Sequence, residues 1–218
     1  MRTSSAILLA SWTVAVAAQA QGFKFSNPPP GAQEEAAAQA RRQQTISEQL
    51  ATPCRDRIRN RKIMVLIAEE QNGVLTAPQG TYSRHVDAVN SRLQKLGLKT
   101  YSPEQIRKQV AQEEIDAYFK NDPDRALSAS RRMAAQYVLR GVIASSAMRN
   151  AMVNVNQVSV NMDFTLSDAA GQPVSTATAA GRSYAGSDVS GMALTLIDEH
   201  ADEVVARLYS DYCRNASR

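Results

Sequence analysis

The chain has 218 residues, with 25 lysines and arginines against 21 aspartates and glutamates, and a net charge of +4 at pH 7. This length suits one domain of ordinary size with an appendage. The charge is modest and we expect no nucleic-acid partner, whereas a pI near 9.2 suits an anionic surface such as lipid headgroups or an acidic polymer.

The first 20 residues have the layout of a secretory signal peptide. Arg2 supplies a positive start, residues 6–18 are mostly apolar, and Ala18 and Ala20 are small residues at the positions that signal peptidase reads. The apolar run is shorter than the roughly 20 residues that a membrane-spanning helix needs. A buried N-terminal helix is the alternative. We expect export through a cleaved signal peptide to the periplasm or beyond, and no transmembrane segment in the mature chain.

Residues 21–52 are interpreted as a flexible tether followed by a surface helix. The three prolines at 28–30 fit neither a helix interior nor a central strand. From Ala32 to Leu50 the chain is rich in good helix formers but has few large apolar residues. Such a helix lies on the surface or docks on a partner.

Cys54 and Cys213 are the only cysteines. An even count in an exported chain favours one disulfide, and two separate thiols are the alternative. His85 and His200 show no ligand spacing with either cysteine, so we expect no metal site. We also expect no cofactor.

A single α/β domain is predicted over residues 53–214, and a dense basic run opens it. The run leads directly into the apolar stretch Ile63–Ala68, which is typical of a strand covered on both faces. In an extended chain the arginines would share one face. The run is either a solvated edge or an anion-binding patch, and its members are Arg55, Arg57, Arg59, Arg61 and Lys62.

Glu69 and Glu70 follow this strand and form the candidate ligand pocket. Ligands of α/β sheets usually bind at the carboxyl ends of strands. Adjacent carboxylates in a strand point to opposite faces, however, so an acid/base pair would need a local kink.

The middle of the chain reads as a loop followed by short helices. The loop covers 71–80, a helix covers 83–96 with Gly97 as its stop, and a short strand covers 98–101. Ser102 and Pro103 suit the cap and first position of the next helix. After an interruption at 122–124, a further helix is predicted over 126–136.

The last third predicts strands followed by a long helix. Residues 137–144 have strand character, and 154–167 alternate apolar and polar side chains, with a bulge or break expected near Asn156–Gln157. A turn at 168–171 leads to a second hairpin strand over 174–184. Apolar spacing then predicts a helix over 189–212. The fold class is α/β (α+β): a mixed sheet with a C-terminal β-hairpin and a long terminal helix packed on one face.

No catalytic set emerges from the sequence. It contains no G-x-S-x-G, H-E-x-x-H or P-loop motif. His200 lies between Ile197 and Val204 and suits a structural role, and His85 suits capping or surface exposure. We therefore assign no catalytic residues.

The segment Tyr137–Val142 resembles the strand "aromatic–aliphatic–aliphatic–x–Gly–aliphatic" of bacterial envelope-assembly domains. These are the domains of curli-secretion lipoproteins, the amino-terminal domain of the Tol-system propeller protein, penicillin-binding-protein activator lipoproteins and the flagellar periplasmic assembly protein. Residues 158–174 resemble their following hairpin, and the likeness covers about Lys62 to Tyr212. The lipid-bearing cysteine of the curli and activator members is absent here, so membrane tethering is not carried over.

The resemblance implies a non-enzymatic periplasmic module that binds other envelope proteins, as an assembly or accessory protein. A small periplasmic hydrolase or ligand-binding protein with a pocket near Glu69 and Glu70 is the alternative. Convergent, buried carboxylates beside an open cavity would favour that alternative.

Overall fold

The computed structural model describes residues 31–71, 73–77, 84–120, 122–152 and 154–215. The predicted signal peptide and the proline-rich part of the predicted tether lie outside these ranges. Contacts divide the chain into one unit that ends at Ala38 and a second that begins at Gln39. No helix in the described ranges has both the length and the apolar character needed to cross a membrane.

The described residues form a mixed, six-stranded sheet with seven helices. The helices are α1 (Ala32–Leu50), α2 (Arg55–Ile58), α3 (Arg84–Lys95), α4 (Pro103–Gln109), α5 (Gln112–Phe119), α6 (Pro123–Arg132) and α7 (Val189–Asn215). The strands are β1 (Lys62–Gln71), β2 (Val74–Thr76), β3 (Lys99–Thr100), β4 (Tyr137–Asn150), β5 (Val155–Asp168) and β6 (Pro173–Ala185).

The sheet order is β2-β1-β4-β5-β6, and β3 also pairs with β1. Strand β1 is parallel to β3 and β4 and antiparallel to β2, whereas β4, β5 and β6 form an antiparallel meander. The predicted mixed sheet and C-terminal hairpin are confirmed.

Strand β1 is covered on both faces, as its continuous apolar run predicted. The odd-numbered side chains from Ile63 to Ile67 lie in a first core with residues of α3, α7, β5 and β6. The even-numbered side chains from Met64 to Ala68 lie in a second core with residues of α4, α5 and α6. The sheet is therefore sandwiched between helices at β1 and the first half of β4.

The predicted register of the hairpin is confirmed. The even-numbered side chains from Val158 to Leu166 are buried in the first core, while Asn161 and Asp163 are exposed. The turn closes with a hydrogen bond from the Gly171 amide to the Asp168 carbonyl, and Gly171 has a φ of 82°. Helix α7 packs over the buried face, and the Gly191 amide donates to the Asp188 carboxylate at its start.

Two predictions about the strands are wrong. The predicted loop at 71–80 contains β2, which folds back on the end of β1 because Gly73, with a φ of 77°, allows a tight reversal. Strand β5 runs without a break near Asn156–Gln157, and the irregularity lies between Leu166 and Ser167 instead. There the facing strand carries one additional residue, Val174.

Two element boundaries also differ from the prediction. Helix α6 begins at Pro123, because a proline fits the first helical position, and ends at Arg132. Strand β4 continues past Ala144 to Asn150, where it pairs with β5 along its whole length. Ser102 caps α4 and Pro103 is its first residue, as predicted, and Gln105 completes a capping box that was not predicted.

The last turns of α1, which belong to the second unit, have one buried face. Ile46 is buried, and Leu50 packs against the first core. The next segment is held by the Tyr209 hydroxyl, which donates to the Thr52 carbonyl at 2.5 Å. Cys54 and Cys213 form the predicted disulfide, with Cα atoms 5.5 Å apart.

Candidate anion-binding surface

The basic run does not approach β1 as an extended chain, so the prediction that its arginines share one strand face is wrong. Residues 55–58 form the single helical turn α2, in which Ile58 is buried in the first core. This anchor leaves Arg55 and Arg57 exposed on the outer side of the turn.

The chain then turns sharply before β1 begins. Asn60 has a φ of 63°, and its amide donates to the Gly97 carbonyl at 2.8 Å. The Lys99 amide donates to the Arg61 carbonyl at 2.9 Å, and Lys62 pairs with Lys99 across β1 and β3. The end of α3 and the start of β3 therefore lie beside the basic run.

This juxtaposition adds two lysines that the sequence analysis did not include. We call the resulting set the basic surface, and it consists of Arg55, Arg57, Arg59, Arg61, Lys62, Lys95 and Lys99. All of these side chains are exposed. Lys95 and Lys99 are more than 30 residues from the run in sequence. The pairing of β3 with β1 identifies Lys99, and the bond from Asn60 to Gly97 places Lys95, at the end of α3, near the run.

The basic surface is poor in neutralising carboxylates. Asp56 is the only acidic residue between positions 55 and 62. Leaving Arg57 aside, no member forms an ion pair with a described carboxylate, in contrast to Arg92 with Asp198 and Asp202 or Arg132 with Glu114. Its positive charge thus remains available to an external anion.

An open cleft borders this surface. It has a volume of about 490 Å³ and is lined by residues 50–57 and Tyr209. The disulfide-bonded Cys54 and the basic residues Arg55 and Arg57 are among the residues that line it. The disulfide and the bond from Tyr209 to Thr52 hold this lining in place.

The two candidate pocket carboxylates do not converge. Because β1 is regular, Glu69 lies on the face of the first core and Glu70 on the face of the second. The Glu69 carboxylate lies 2.7 Å from His85 Nδ1, and both side chains are largely shielded from solvent. His85 therefore contacts a strand carboxylate and is not the cap or free surface residue that the sequence suggested.

His200 has the structural role that its sequence position indicated, but it is buried. Its Nδ1 lies 3.2 Å from the Glu203 carboxylate, and the ring packs over Gly181 of β6. A Cβ atom at position 181 would approach within 2.8 Å of His200 Cδ2, so the glycine provides the space for the ring.

A second exposed surface lies on β4, β5 and β6, away from the basic surface. Helices α4 to α6 cover the second face of the sheet only near β1 and the start of β4, so the alternate side chains of β6 from Thr176 to Tyr184 are exposed. Met148, Gln157 and Tyr184 face one another across the three strands. Met148 and Tyr184 are 71% and 56% exposed.

The described residues contain no group of three or more metal-ligating side chains that could hold an ion. No family model matches the chain. No curated protein matches it either.

Several solved structures have a partly similar course of the chain. A PelC dodecamer from Paraburkholderia phytofirmans is 20% identical, with 69% of this chain and 87% of that chain covered and a TM-score of 0.40. Lipoprotein GNA1162 from Neisseria meningitidis is 13% identical, with 62% of this chain and 93% of that chain covered and a TM-score of 0.44. The LpoB C-terminal domain from Salmonella enterica is 17% identical, with 64% of this chain and 93% of that chain covered and a TM-score of 0.38.

Among these neighbours, GNA1162 is described as a lipoprotein. They do not identify a specific family. With TM-scores below 0.5, they carry no argument about the function of this chain.

Proposed function

We propose that this chain is a non-enzymatic periplasmic protein that binds other envelope components, as an assembly or accessory module. It docks through the basic surface on an anionic envelope surface. The observation that carries the proposal is the concentration of exposed, largely unneutralised arginines and lysines where α2, β1 and β3 meet.

The number of charges matters more than the strength of any one contact. A single exposed ion pair contributes only about 0.2–1 kcal/mol. Near an anionic membrane surface, each lysine or arginine contributes about 1 kcal/mol. Several such residues acting together are enough for measurable binding, whereas one or two are not.

The rigidity of the surface supports the same proposal. Buried Ile58, the disulfide and the backbone bonds of Asn60 and Lys99 fix the polypeptide that carries the charges. A surface held in this way loses less conformational entropy on binding than a mobile basic tail does.

Export is part of the proposal. The signal-peptide layout of residues 1–20 and the disulfide between Cys54 and Cys213 both suit an oxidising compartment outside the cytoplasm. The hydrolase alternative has less support, because Glu69 and Glu70 point to opposite faces of β1.

The test is binding of the full mature protein to lipid vesicles in a sedimentation assay. We expect binding to vesicles that contain phosphatidylglycerol and little binding to vesicles of phosphatidylcholine alone. Binding should weaken steadily as NaCl is raised from 0.05 M to 1 M, because the screening length falls to about 3 Å at 1 M. Equal binding to both vesicle types, or binding that salt does not change, would contradict the proposal.

A further inference from the structure

We propose that two copies of this chain associate through the outer edge of β6, which pairs antiparallel with the same edge of the second copy. This inference goes beyond the proposed function and uses neither the basic surface nor an anionic partner. It depends on the backbone direction, the composition and the self-complementarity of β6.

Strand β6 is an edge of the sheet. Among the described residues it pairs only with β5, over 13 residues from Pro173 to Ala185. Strands of globular proteins are usually about five or six residues long. The edge of β6 is therefore long enough to accept a complete additional strand.

The turn of the hairpin shows which residues of β6 direct their backbone N–H and C=O groups away from β5. The Asp168 amide donates to the Gln172 carbonyl, so Asp168 and the even-numbered residues of β5 direct their backbone groups toward β6. Their partners on β6 are odd-numbered, from Ser175 to Ala185. The even-numbered residues from Thr176 to Tyr184 therefore direct their N–H and C=O groups outward.

Side-chain contacts agree with this assignment at the start of the strand. Asn215 Nδ2 donates to the Val174 carbonyl at 2.7 Å, which satisfies one outward group just before the free stretch. From Thr176 to Tyr184, no side chain of the described residues donates a hydrogen bond to an outward carbonyl of β6.

Natural edge strands usually carry features that prevent pairing, such as lysines, prolines, bulges or inward-pointing charges. Between Ser175 and Ala185 the sequence has no proline, and Arg182 is the only charged residue. The irregularity opposite Ser167 lies at the very start of β6 and leaves the remainder regular. From Thr176 to Tyr184 this edge is therefore unprotected.

The second copy is the occupant that the sequence of β6 fits. A two-fold axis at Ala180 pairs outward residues only with outward residues, since Thr178 then faces Arg182 and Thr176 faces Tyr184 of the second copy. No like charges meet, and aromatic–Thr pairs are favourable across antiparallel strands. The small residues Ala179, Ala180 and Gly181 surround the axis, where two strands must approach within about 4.8 Å.

The experiment is sedimentation equilibrium of the full mature protein over a range of concentrations. We expect a dimer, and Ala180→Pro should be monomeric because proline removes an outward N–H. Proline is tolerated on an edge whose N–H faces away from the sheet, so the β5 ladder of this variant should remain. Ala180→Thr keeps the N–H and should remain dimeric, and circular dichroism checks that all variants are folded.

Charge placed at position 178 tests the register. In the dimer, residue 178 of each copy faces Arg182 of the other copy, so the contact occurs twice. Thr178→Glu should therefore tighten association several-fold, whereas Thr178→Lys should weaken it by a similar factor. A monomeric wild-type protein would overturn the inference. A dimer that none of these substitutions changes would overturn it as well, because its interface would lie elsewhere.

Discussion

Cys54 at the start of α2 and Cys213 near the end of α7 are disulfide-bonded across 159 residues of sequence. Both residues are buried in the first core. Helix α7 covers the sheet, and α2 carries the first two arginines of the basic surface. The bond therefore connects the proposed binding surface directly to the most extensively packed helix of the domain.

Loss of this disulfide should destabilise the protein by about 2–5 kcal/mol, mainly because the unfolded chain gains freedom. The measurement is urea denaturation of the wild type, with and without reductant, beside the double variant Cys54→Ser/Cys213→Ser. The reduced wild type and the double variant should unfold at similar, lower urea concentrations. Identical midpoints for the oxidised and reduced wild type would contradict this account.

Gly141→Ala should be destabilising, although alanine is otherwise acceptable in a strand. A Cβ atom at position 141 would lie 2.8 Å from two atoms of the Phe164 ring, which is buried on the facing strand. Overpacking of this kind costs about 1–3 kcal/mol. Gly186→Ala is the matched control, since nothing lies within 4 Å of its added Cβ. Equal free energies of unfolding for both variants would show that the ring can move aside at no cost.

Deprotonation of Tyr137 should lower the free energy of unfolding at high pH. Burial, together with the 3.0 Å hydrogen bond to the Tyr212 hydroxyl, raises the pKa of Tyr137 to about 12, against about 10 in an unfolded chain. The folded protein holds this proton more tightly, so the stabilisation is complete below pH 10 and is lost as the pH rises toward 12. Tyr137→Phe should show a shallower decline in the free energy of unfolding over that range. The same slope for both proteins would exclude this contribution.

His85→Ala should leave binding to anionic vesicles unchanged. His85 contacts Glu69 on the first-core face of β1, away from the basic surface. Loss of a partly exposed pair should reduce the free energy of unfolding by no more than about 1 kcal/mol. Glu69→Gln serves as the companion variant. If either substitution abolished an activity while the fold stayed intact, the ligand-binding or hydrolase alternative would replace our proposal.

Much of the fold follows from local sequence patterns. The continuous apolar run at Ile63–Ala68, the alternation from Val158 to Leu166 and the helical spacing after Val189 each predicted an element that the structure contains. Each of these apolar patterns extends over enough residues to identify the element, even where its end residues are uncertain.

Several of the features that the sequence did not predict depend on tertiary contacts. Helix α2 has one turn, and it forms because Ile58 is buried in the first core, which alternating arginines do not reveal. The contact of Glu69 with His85 and the packing of His200 over Gly181 join distant segments. Lys99 and Lys95 also join the basic surface through contacts between distant segments, since β3 pairs with β1 and Asn60 bonds to Gly97 just after α3.

The most direct test of the central claim is charge reversal within the basic surface. Arg55→Glu, Arg57→Glu and Arg59→Glu are combined in one variant, and binding of the mature protein to phosphatidylglycerol vesicles is measured at low salt. The control combines Arg107→Glu, Lys108→Glu and Lys120→Glu, which are exposed on α4 and just after α5 and change the net charge equally. We predict that the first variant loses at least tenfold in affinity while the control retains most of it. Equal losses would show that only net charge matters, and unchanged binding by the first variant would remove the basic surface from the function.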